Sequence, residues 1–148
     1  MLVIEFKKGQ GLGNQLWNYA SLRSIARYKK FSYRVMSFDN FKGNDFIKIK
    51  ERDTDKEINK VDLQLFKEKH YYDNDLKCFV YGFDKNIKNI EDDTKLEGVF
   101  QSEKYLFPDK KIINDFFEID LKNYQQKVNF DKTCILNLRG GEYKMHRE

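Results

Sequence analysis

Closely spaced glycines followed by two amides form the segment of this sequence best suited to chemistry, GQGLGNQ at 9–15. Glycine permits positive φ and lets a ligand approach the backbone closely. Asn14 is a favourable N-cap, and the free N–H groups of a first helical turn attract anions. The sequence therefore predicts a ligand-binding turn before a helix, although a tight turn without a ligand is an alternative reading. The residues expected to contact substrate here are Gly11, Gly13, Asn14 and Gln15.

A strand, a helix and a second strand must position this turn. Residues 2–6 (LVIEF) predict a buried strand, and apolar side chains at helical spacing over 16–27 predict the helix. Residues 32–38 alternate and are rich in β-formers, so they predict a second strand, parallel to the first. The fold class expected is α/β with a doubly wound parallel sheet. The helix is expected to bury Leu16, Tyr19, Leu22 and Ile25, to leave Arg23 and Arg27 in water, and to place Trp17 in the core.

Shorter elements are predicted along the rest of the chain. They are a surface excursion at 39–60, a short helix at 62–69, a strand at 76–81, a polar loop at 83–93, a strand at 96–100, a helical turn at 102–107, a helix capped by Asp109 and a strand at 133–138. Ligands of open parallel sheets bind at the carboxyl ends of the strands. The glycine turn and Arg139, which follows the last strand, are therefore expected on one rim.

Three segments in order carry a resemblance to a known family. They are GQGLGNQLWNYA at 9–20, LEGVFQSEKYL at 96–106 and CILNLRGGEY at 134–143. The first resembles the opening motif of the family 11 glycosyltransferases, the bacterial α-1,2-fucosyltransferases. The second resembles that family's Gly-Tyr-Phe-Gln-Ser-Glu-Lys-Tyr segment, and the third occupies the place of its His-x-Arg-Arg-Gly-Asp-Tyr loop. The resemblance thus covers nearly the whole chain and implies a Rossmann-like, N-terminal domain of a GT-B-like enzyme.

The third segment departs from the family pattern at several positions. Asn137 stands in place of His, Gly140 in place of the second Arg, and Glu142 in place of Asp, whereas Arg139, Gly141 and Tyr143 are retained. The retained arginine is the one that the resemblance assigns to the donor diphosphate. The departures leave open which nucleotide-sugar is held, and whether one is held.

The resemblance implies inverting transfer of fucose from GDP-fucose to a galactoside hydroxyl, in surface-polysaccharide or lipopolysaccharide assembly. Arg139 offers a bidentate fork to the leaving diphosphate, and the N–H groups of Gly140 and Gly141 add a small anion nest. The alternative for Arg139 is that it caps the end of the sheet and pairs with a nearby carboxylate. Glu142 is a candidate general base, and pairing within the fold is its alternative. Gln101 and Ser102 are expected to line an acceptor cleft or to cap the next turn. Asn137, Gly140 and Gly141 complete the expected substrate-binding residues, and Arg139 and Glu142 are the expected catalytic residues.

Members of the family continue beyond this loop into a donor domain. Residues 1–148 are therefore interpreted as one α/β domain, the N-terminal part of a longer enzyme, in which residues 139–148 are the start of the donor-site loop. The chain alone is expected to lack turnover. A non-catalytic glycan- or nucleotide-binding domain is the alternative. The expected partners are a nucleotide-sugar and an oligosaccharide or lipid-linked glycan.

Composition limits the remaining possibilities. Lys and Arg number 28 against 24 Asp and Glu, a net charge of +4 spread along the chain, which is not a nucleic-acid footprint. The excess is compatible with loose attraction to a membrane surface, and we expect a cytoplasmic protein at or near the inner face of the membrane. Cys78 and Cys134 lie in apolar runs and are expected to be reduced and buried. No metal-ligand pattern is visible, so neither a metal nor another cofactor is expected.

Overall fold

A computed structural model describes residues 1–49, 63–107 and 118–119. Within these residues the chain forms one α-helix, eight β-strands and three short 3₁₀ helices. The helix α1 spans Leu12–Lys29. The strands are β1 (Leu2–Glu5), β2 (Tyr33–Met36), β3 (Ile47–Lys48), β4 (Gln64–Lys67), β5 (His70–Asp73), β6 (Cys78–Tyr81), β7 (Thr94–Glu97) and β8 (Glu118–Ile119). The 3₁₀ helices span Phe38–Asn40, Lys85–Asn89 and Glu103–Tyr105.

The largest sheet has four strands in the order β2-β1-β7-β4, and every neighbouring pair is parallel. The predicted α/β fold with a parallel sheet is confirmed at this level. β1 is central, and its apolar residues Leu2, Val3 and Ile4 are all buried. Such a continuous apolar run is typical of a parallel strand that is covered on both faces. The chain leaves β1 through α1 towards β2, whereas β7 and β4 lie on the other side of β1.

Two antiparallel pairs lie outside this sheet, β3 with β8 and the hairpin β5–β6. The hairpin turn is held by Asp73, whose Oδ1 accepts hydrogen bonds from the N–H groups of Asp75 and Leu76, both at 2.9 Å. The strand predicted at 76–81 is present as β6. The helix predicted at 62–69 is wrong, because Gln64–Lys67 pairs with β7 as a strand. Pairing with a neighbouring strand here overrides local propensity.

The core lies between α1 and the parallel sheet, and aromatic rings contribute much of it. Phe6, Tyr19, Phe41, Phe100 and Tyr105 are all buried. The Phe6 and Phe41 rings stack with centroids 5.2 Å apart, and Phe100 meets Tyr105 edge-on at 5.1 Å. Aromatic pairs of these geometries add stabilisation beyond the area they bury.

The helix differs from its sequence prediction at its start and on one face. It begins at Leu12 with Gly11 as its N-cap, so Asn14 is a helical residue and the predicted cap is wrong. Tyr19, Leu22 and Ile25 are buried as predicted, whereas Leu16 is partly buried against the core. Arg27 is exposed as predicted.

The prediction for Arg23 is wrong, because its side chain is buried with its guanidinium carbon 5.6 Å from the Tyr19 ring centre and 5.7 Å from that of Tyr33. Stacking on aromatic faces lets a guanidinium lie against apolar surroundings.

Several other predictions need correction. Cys78 is a free thiol as expected but is exposed, because it lies on the hairpin outside the core. Trp17 is only partly buried. The surface excursion and the polar loop both contribute to the core, through Phe41, Ile47, Ile49, Ile87 and Ile90. The strand predicted at 96–100 is Thr94–Glu97, and it ends before Gly98. The turn after Ser102 is present as predicted. The predicted helix after Asp109, Cys134 and the strand at 133–138 lie outside the described residues.

Candidate functional site

The main pocket of the described chain opens at the carboxyl ends of β1, β7 and β4, beside the first half of α1. Its volume is about 380 Å³, within the range of roughly 300–1,000 Å³ that is usual for small-molecule sites. It lies where the strand order reverses, since β1 continues towards β2 on one side and has β7 on the other. This switch point is where open parallel sheets bind ligands. The lining comprises Glu5, Lys7, Gln10, Asn14, Asn18, Lys67, Glu68, His70, Lys95, Leu96, Glu97, Gly98 and Val99.

One hydrogen bond joins two of the segments singled out in the sequence. The Gln101 Nε2 donates to Asn14 Oδ1 at 2.6 Å, across 87 residues of sequence. Asn14 lines the pocket and Gln101 follows the β7 end. The helix start and the loop after β7 are therefore tied together at the rim of the pocket.

The three glycines at 9, 11 and 13, around the start of α1, have different roles. Gly9 has φ +85°, which a side chain would strain, so its glycine is required by the backbone. Gly11 and Gly13 do not use the positive φ that glycine permits, because Gly11 has φ −69° as the N-cap and Gly13 is helical. A Cβ at either position would meet nothing within 4 Å. Within the described part of the chain, neither backbone shape nor packing therefore requires glycine there.

Glu68 holds the loop after β7 in an unusual conformation. Its Oε2 accepts hydrogen bonds from the N–H groups of Val99 at 2.8 Å and Phe100 at 2.9 Å. Phe100 is left-handed, with φ 48°, a conformation that is rare for a bulky residue and that other contacts must hold. At Gly98 a Cβ would lie 2.5 Å from the Glu68 Cβ, so only glycine fits against this carboxylate. The loop that carries Gln101 is thus shaped by one buried glutamate.

The Tyr105 hydroxyl lies close to the same carboxylate. It accepts a hydrogen bond from the Asp84 N–H at 2.8 Å and donates to the Gly82 carbonyl at 3.3 Å. Burial raises the pKa of Tyr105 above its usual value; the Asp84 N–H opposes this, and the Glu68 carboxylate adds to it. Tyr105 therefore stays a neutral hydroxyl that ties the loop after β6 to the 3₁₀ turn.

Charges in the lining are balanced. Lys95 Nζ lies 2.6 Å from Glu5 Oε2, and Lys7 Nζ lies 3.2 Å from Glu97 Oε1. With Lys67 and Glu68, the lining holds three lysines and three glutamates, and His70 is the remaining titratable side chain. A pocket of this kind suits a neutral polar ligand better than a polyanion, because two of its three lysines already face carboxylates.

Two buried oxygens of this lining have no hydrogen-bond partner among the described residues: Asn18 Oδ1 and Glu68 Oε1. Asn18 is 5% exposed and Glu68 is 3% exposed. A buried acceptor without a partner costs about 1–3 kcal/mol, so each such atom in a native fold calls for an explanation.

The site residues predicted from sequence are distributed unevenly. Asn14 lines the pocket, and Gln101 reaches it through Asn14. Gln15 does not line it; its side chain is buried and bonds the Asn40 carbonyl and the Lys42 N–H. Ser102 caps the 3₁₀ helix by accepting from the Lys104 N–H, which was the alternative role expected for it. Arg139, Glu142, Asn137, Gly140 and Gly141 lie outside the described residues.

Sequence reasoning missed Glu68 and Asn18. Asn18 had a usable signal, because it follows Asn14 by four residues and so shares its helix face. Glu68 had none, since it falls in the segment that was predicted to be a helix. Its role depends on β4 pairing beside β7, a contact between residues about 30 positions apart.

In the described part of the chain, no group of three or more metal-ligating side chains comes together. The same residues include no helix long and apolar enough to cross a bilayer. A comparison with models of protein families, with curated proteins and with solved structures finds no match to this chain.

Proposed function

We propose that this chain is the acceptor-binding, N-terminal domain of a GT-B-like inverting glycosyltransferase, and that its main pocket holds the acceptor sugar. In the form that the motif resemblance implies, fucose passes from GDP-fucose to a galactoside hydroxyl of an oligosaccharide or lipid-linked glycan, in surface-polysaccharide or lipopolysaccharide assembly. The site of action is the cytoplasmic face of the membrane, where a net charge of +4 favours loose contact with anionic lipid.

The observation that carries this proposal is the bond between Asn14 and Gln101. These amides belong to two segments 87 residues apart that the family resemblance singles out independently. The two amides meet at the mouth of the pocket, which lies where the strand order of the sheet reverses. If both segments contribute to one substrate site, they must meet at such a place.

The charge balance of the pocket favours the acceptor over the donor as its occupant. A nucleoside diphosphate needs cations that are free to face phosphate, whereas Lys7 and Lys95 are paired with glutamates. An acceptor sugar is neutral and is bound through hydrogen bonds from its hydroxyls to groups such as carboxylates and amides. We assign the nucleotide of the donor to the donor domain, which faces this pocket in a GT-B-like enzyme. We assign the donor sugar to the start of α1, where Gly11 and Gly13 have no side chain to cover the backbone.

The reaction then proceeds in one displacement. The acceptor hydroxyl oxygen attacks the anomeric carbon of the donor sugar, its proton passes to a base for which Glu142 is the candidate, and the bond to the diphosphate oxygen breaks. The diphosphate departs with the electron pair, and Arg139 stabilises the charge that develops on it. Gly140 and Gly141 add backbone N–H groups, and Asn137 lies beside them on the chain.

A binding titration tests the proposal on the chain itself. Lactose, added to the ¹⁵N-labelled 148-residue protein, is expected to shift the amide signals of Asn14, Gly98 and Gln101 in a saturable manner. Sucrose, of equal size and without galactose, is the matched control. No saturable shift with lactose, or equal shifts with both sugars, would contradict the proposal.

Turnover separates the enzyme from a non-catalytic glycan-binding domain. In the protein that carries this domain with a donor domain, Arg139→Ala is expected to lower kcat about 10²–10³-fold, and Arg139→Lys to recover little because the fork is lost. Activity in EDTA should persist. Lactose binding without any release of GDP from GDP-fucose would favour the binding module.

A further inference from the structure

The two unpartnered oxygens of the pocket are the strongest unexplained feature of the described chain. They belong to different elements, since Asn18 lies on α1 and Glu68 follows β4, yet both line the same pocket. Both atoms are acceptors. A pocket that buries acceptors without internal donors is matched to a ligand that supplies donors.

We infer that Glu68 and Asn18 form the hydroxyl-reading pair of this pocket: Glu68 Oε1 and Asn18 Oδ1 accept hydrogen bonds from hydroxyl groups of one neutral, polyhydroxylated ligand. This assignment rests on the proposed function and extends it, because it names the two residues that recognise the acceptor sugar. Neither residue belongs to the site predicted from the sequence.

The ligand class follows from the charges around the pair. Hydroxyls and ammonium groups both donate hydrogen bonds, but the lining already contains three lysines and three glutamates. A neutral ligand preserves that balance, whereas a cation would add an unmatched charge. Several donors on one small body, within a volume of about 380 Å³, describe a sugar.

The two oxygens of Glu68 have separate tasks. Oε2 is taken by the N–H groups of Val99 and Phe100 and so shapes the loop. Oε1 is buried at the pocket and has no partner among the described residues, and it is the oxygen that we assign to the ligand. This division allows a substitution that separates the tasks: Glu68→Gln keeps an oxygen for the two N–H groups and puts an amide NH₂ where the second acceptor was.

The test uses the purified 148-residue chain and lactose. Glu68→Gln is expected to raise the Kd for lactose at least about tenfold, because a charged acceptor is replaced by a donor. Asn18→Ala is expected to raise the Kd about three- to tenfold with no loss of stability, since it removes a buried acceptor that has no partner among the described residues. Glu91→Gln, at the other end of the sheet, is the matched control and should leave the Kd unchanged.

A series of monodeoxy galactosides makes the assignment specific. In the wild type, removing the hydroxyl that donates to Glu68 weakens binding, and in Glu68→Gln the same removal should have little further effect. If Glu68→Gln is folded and binds lactose as the wild type does, Glu68 only shapes the loop and the inference fails while the proposed function stands. If Glu68→Gln does not fold, an unchanged Kd in Asn18→Ala overturns the pair. A wild type that does not bind lactose overturns the proposed function itself.

Discussion

The two ends of the parallel sheet treat their polar groups in opposite ways. At the amino end, the Met1 ammonium bonds Asp92 and Asp93, and Thr94 Oγ1 donates to the Glu91 carbonyl at 2.9 Å. At the carboxyl end, Asn18 Oδ1 and Glu68 Oε1 are buried and have no hydrogen-bond partner among the described residues. Among the described residues, these polar groups are therefore paired with one another at the amino end, which we call closed in this sense, and two of them are unpaired at the carboxyl end.

The difference separates stability from function. Groups that satisfy one another, as at the amino end, are explained by the fold that they support. Left-handed backbone occurs at both ends, at Asp93 (φ 54°) and at Phe100 (φ 48°), so the difference lies in the two acceptors of the carboxyl end that have no partner among the described residues. A buried acceptor without a partner lowers stability, and under the function proposed above a ligand supplies the missing donors.

The largest expected effect on the free energy of unfolding is at Gly98, where the carboxyl end of the sheet leaves no room for a side chain. Gly98→Ala would bring a Cβ to 2.5 Å from the Glu68 Cβ and 2.6 Å from its Oε2. The loop or Glu68 must move, so we expect a loss of about 2–3 kcal/mol in the free energy of unfolding, measured by urea denaturation. Gly82→Ala is the control, because a Cβ there meets nothing within 4 Å. Equal losses in both variants would show that Glu68 does not confine the loop.

Gly13→Ala is expected to act in the opposite direction. The residue is helical and its Cβ would meet nothing, so alanine should raise the free energy of unfolding by about 0.5–1 kcal/mol. In the donor-domain-containing enzyme, the same change should lower turnover with GDP-fucose and lactose, because a methyl group now occupies the approach to the helix start. Higher stability with unchanged turnover would mean that the glycine does not serve the donor.

Coupling between Asn14 and Gln101 tests whether the rim acts as a unit. Asn14→Ala, Gln101→Ala and the double variant form a cycle, and we expect a coupling energy of about 0.5–1.5 kcal/mol in urea denaturation. Gln10→Ala with Gln101→Ala is the comparison pair, for which the two effects should add. Additive effects in the Asn14 cycle would remove the observation on which the proposed function rests.

The sequence predicts the part of this molecule that depends on local pattern. The parallel β1–β2 pair, the face of α1 that carries Tyr19, Leu22 and Ile25, and the placement of Asn14 at the carboxyl rim all follow from periodicity and topology. The resemblance also singled out Gln101 as a site residue, and the bond to Asn14 brings it to that rim.

What the sequence did not predict depends on distant contacts. The strand β4 forms because β7 pairs with it, and Glu68 is buried because the loop after β7 folds over it. Distant contacts also decide the environments of Cys78 and Arg23. Cys78 is exposed because it lies on a hairpin outside the core, and Arg23 is buried because its guanidinium lies over the rings of Tyr19 and Tyr33. In each case residue type alone favours the opposite environment.

The smallest expected effect lies at the closed, amino end. Burial lowers the pKa of the Met1 ammonium, but hydrogen bonds to Asp92 and Asp93 outweigh it, so that pKa is raised above its usual 8.0. The bond to Met1 lowers the pKa of Asp92 below its usual 3.8. The stabilisation that the Met1 ammonium contributes is complete below pH 8.0 and is lost as the pH rises through its raised pKa. The stabilisation that the Asp92 carboxylate contributes is present above pH 3.8 and is lost as the pH falls through its lowered pKa.

Asp92→Asn should therefore lower the free energy of unfolding between these limits by only about 0.2–1 kcal/mol, because the Asp92 side chain is half exposed. The difference from wild type should shrink as the pH falls below 3.8 and as it rises above 8.0, and also in 1 M NaCl, which screens exposed charges. Asp45→Asn, an exposed carboxylate elsewhere, is the control. A pH-independent loss would mean that the charge of Asp92 does not matter. The amino end would then be closed by backbone bonds such as Thr94 N–H to the Met1 carbonyl, at 3.1 Å, rather than by an ion pair.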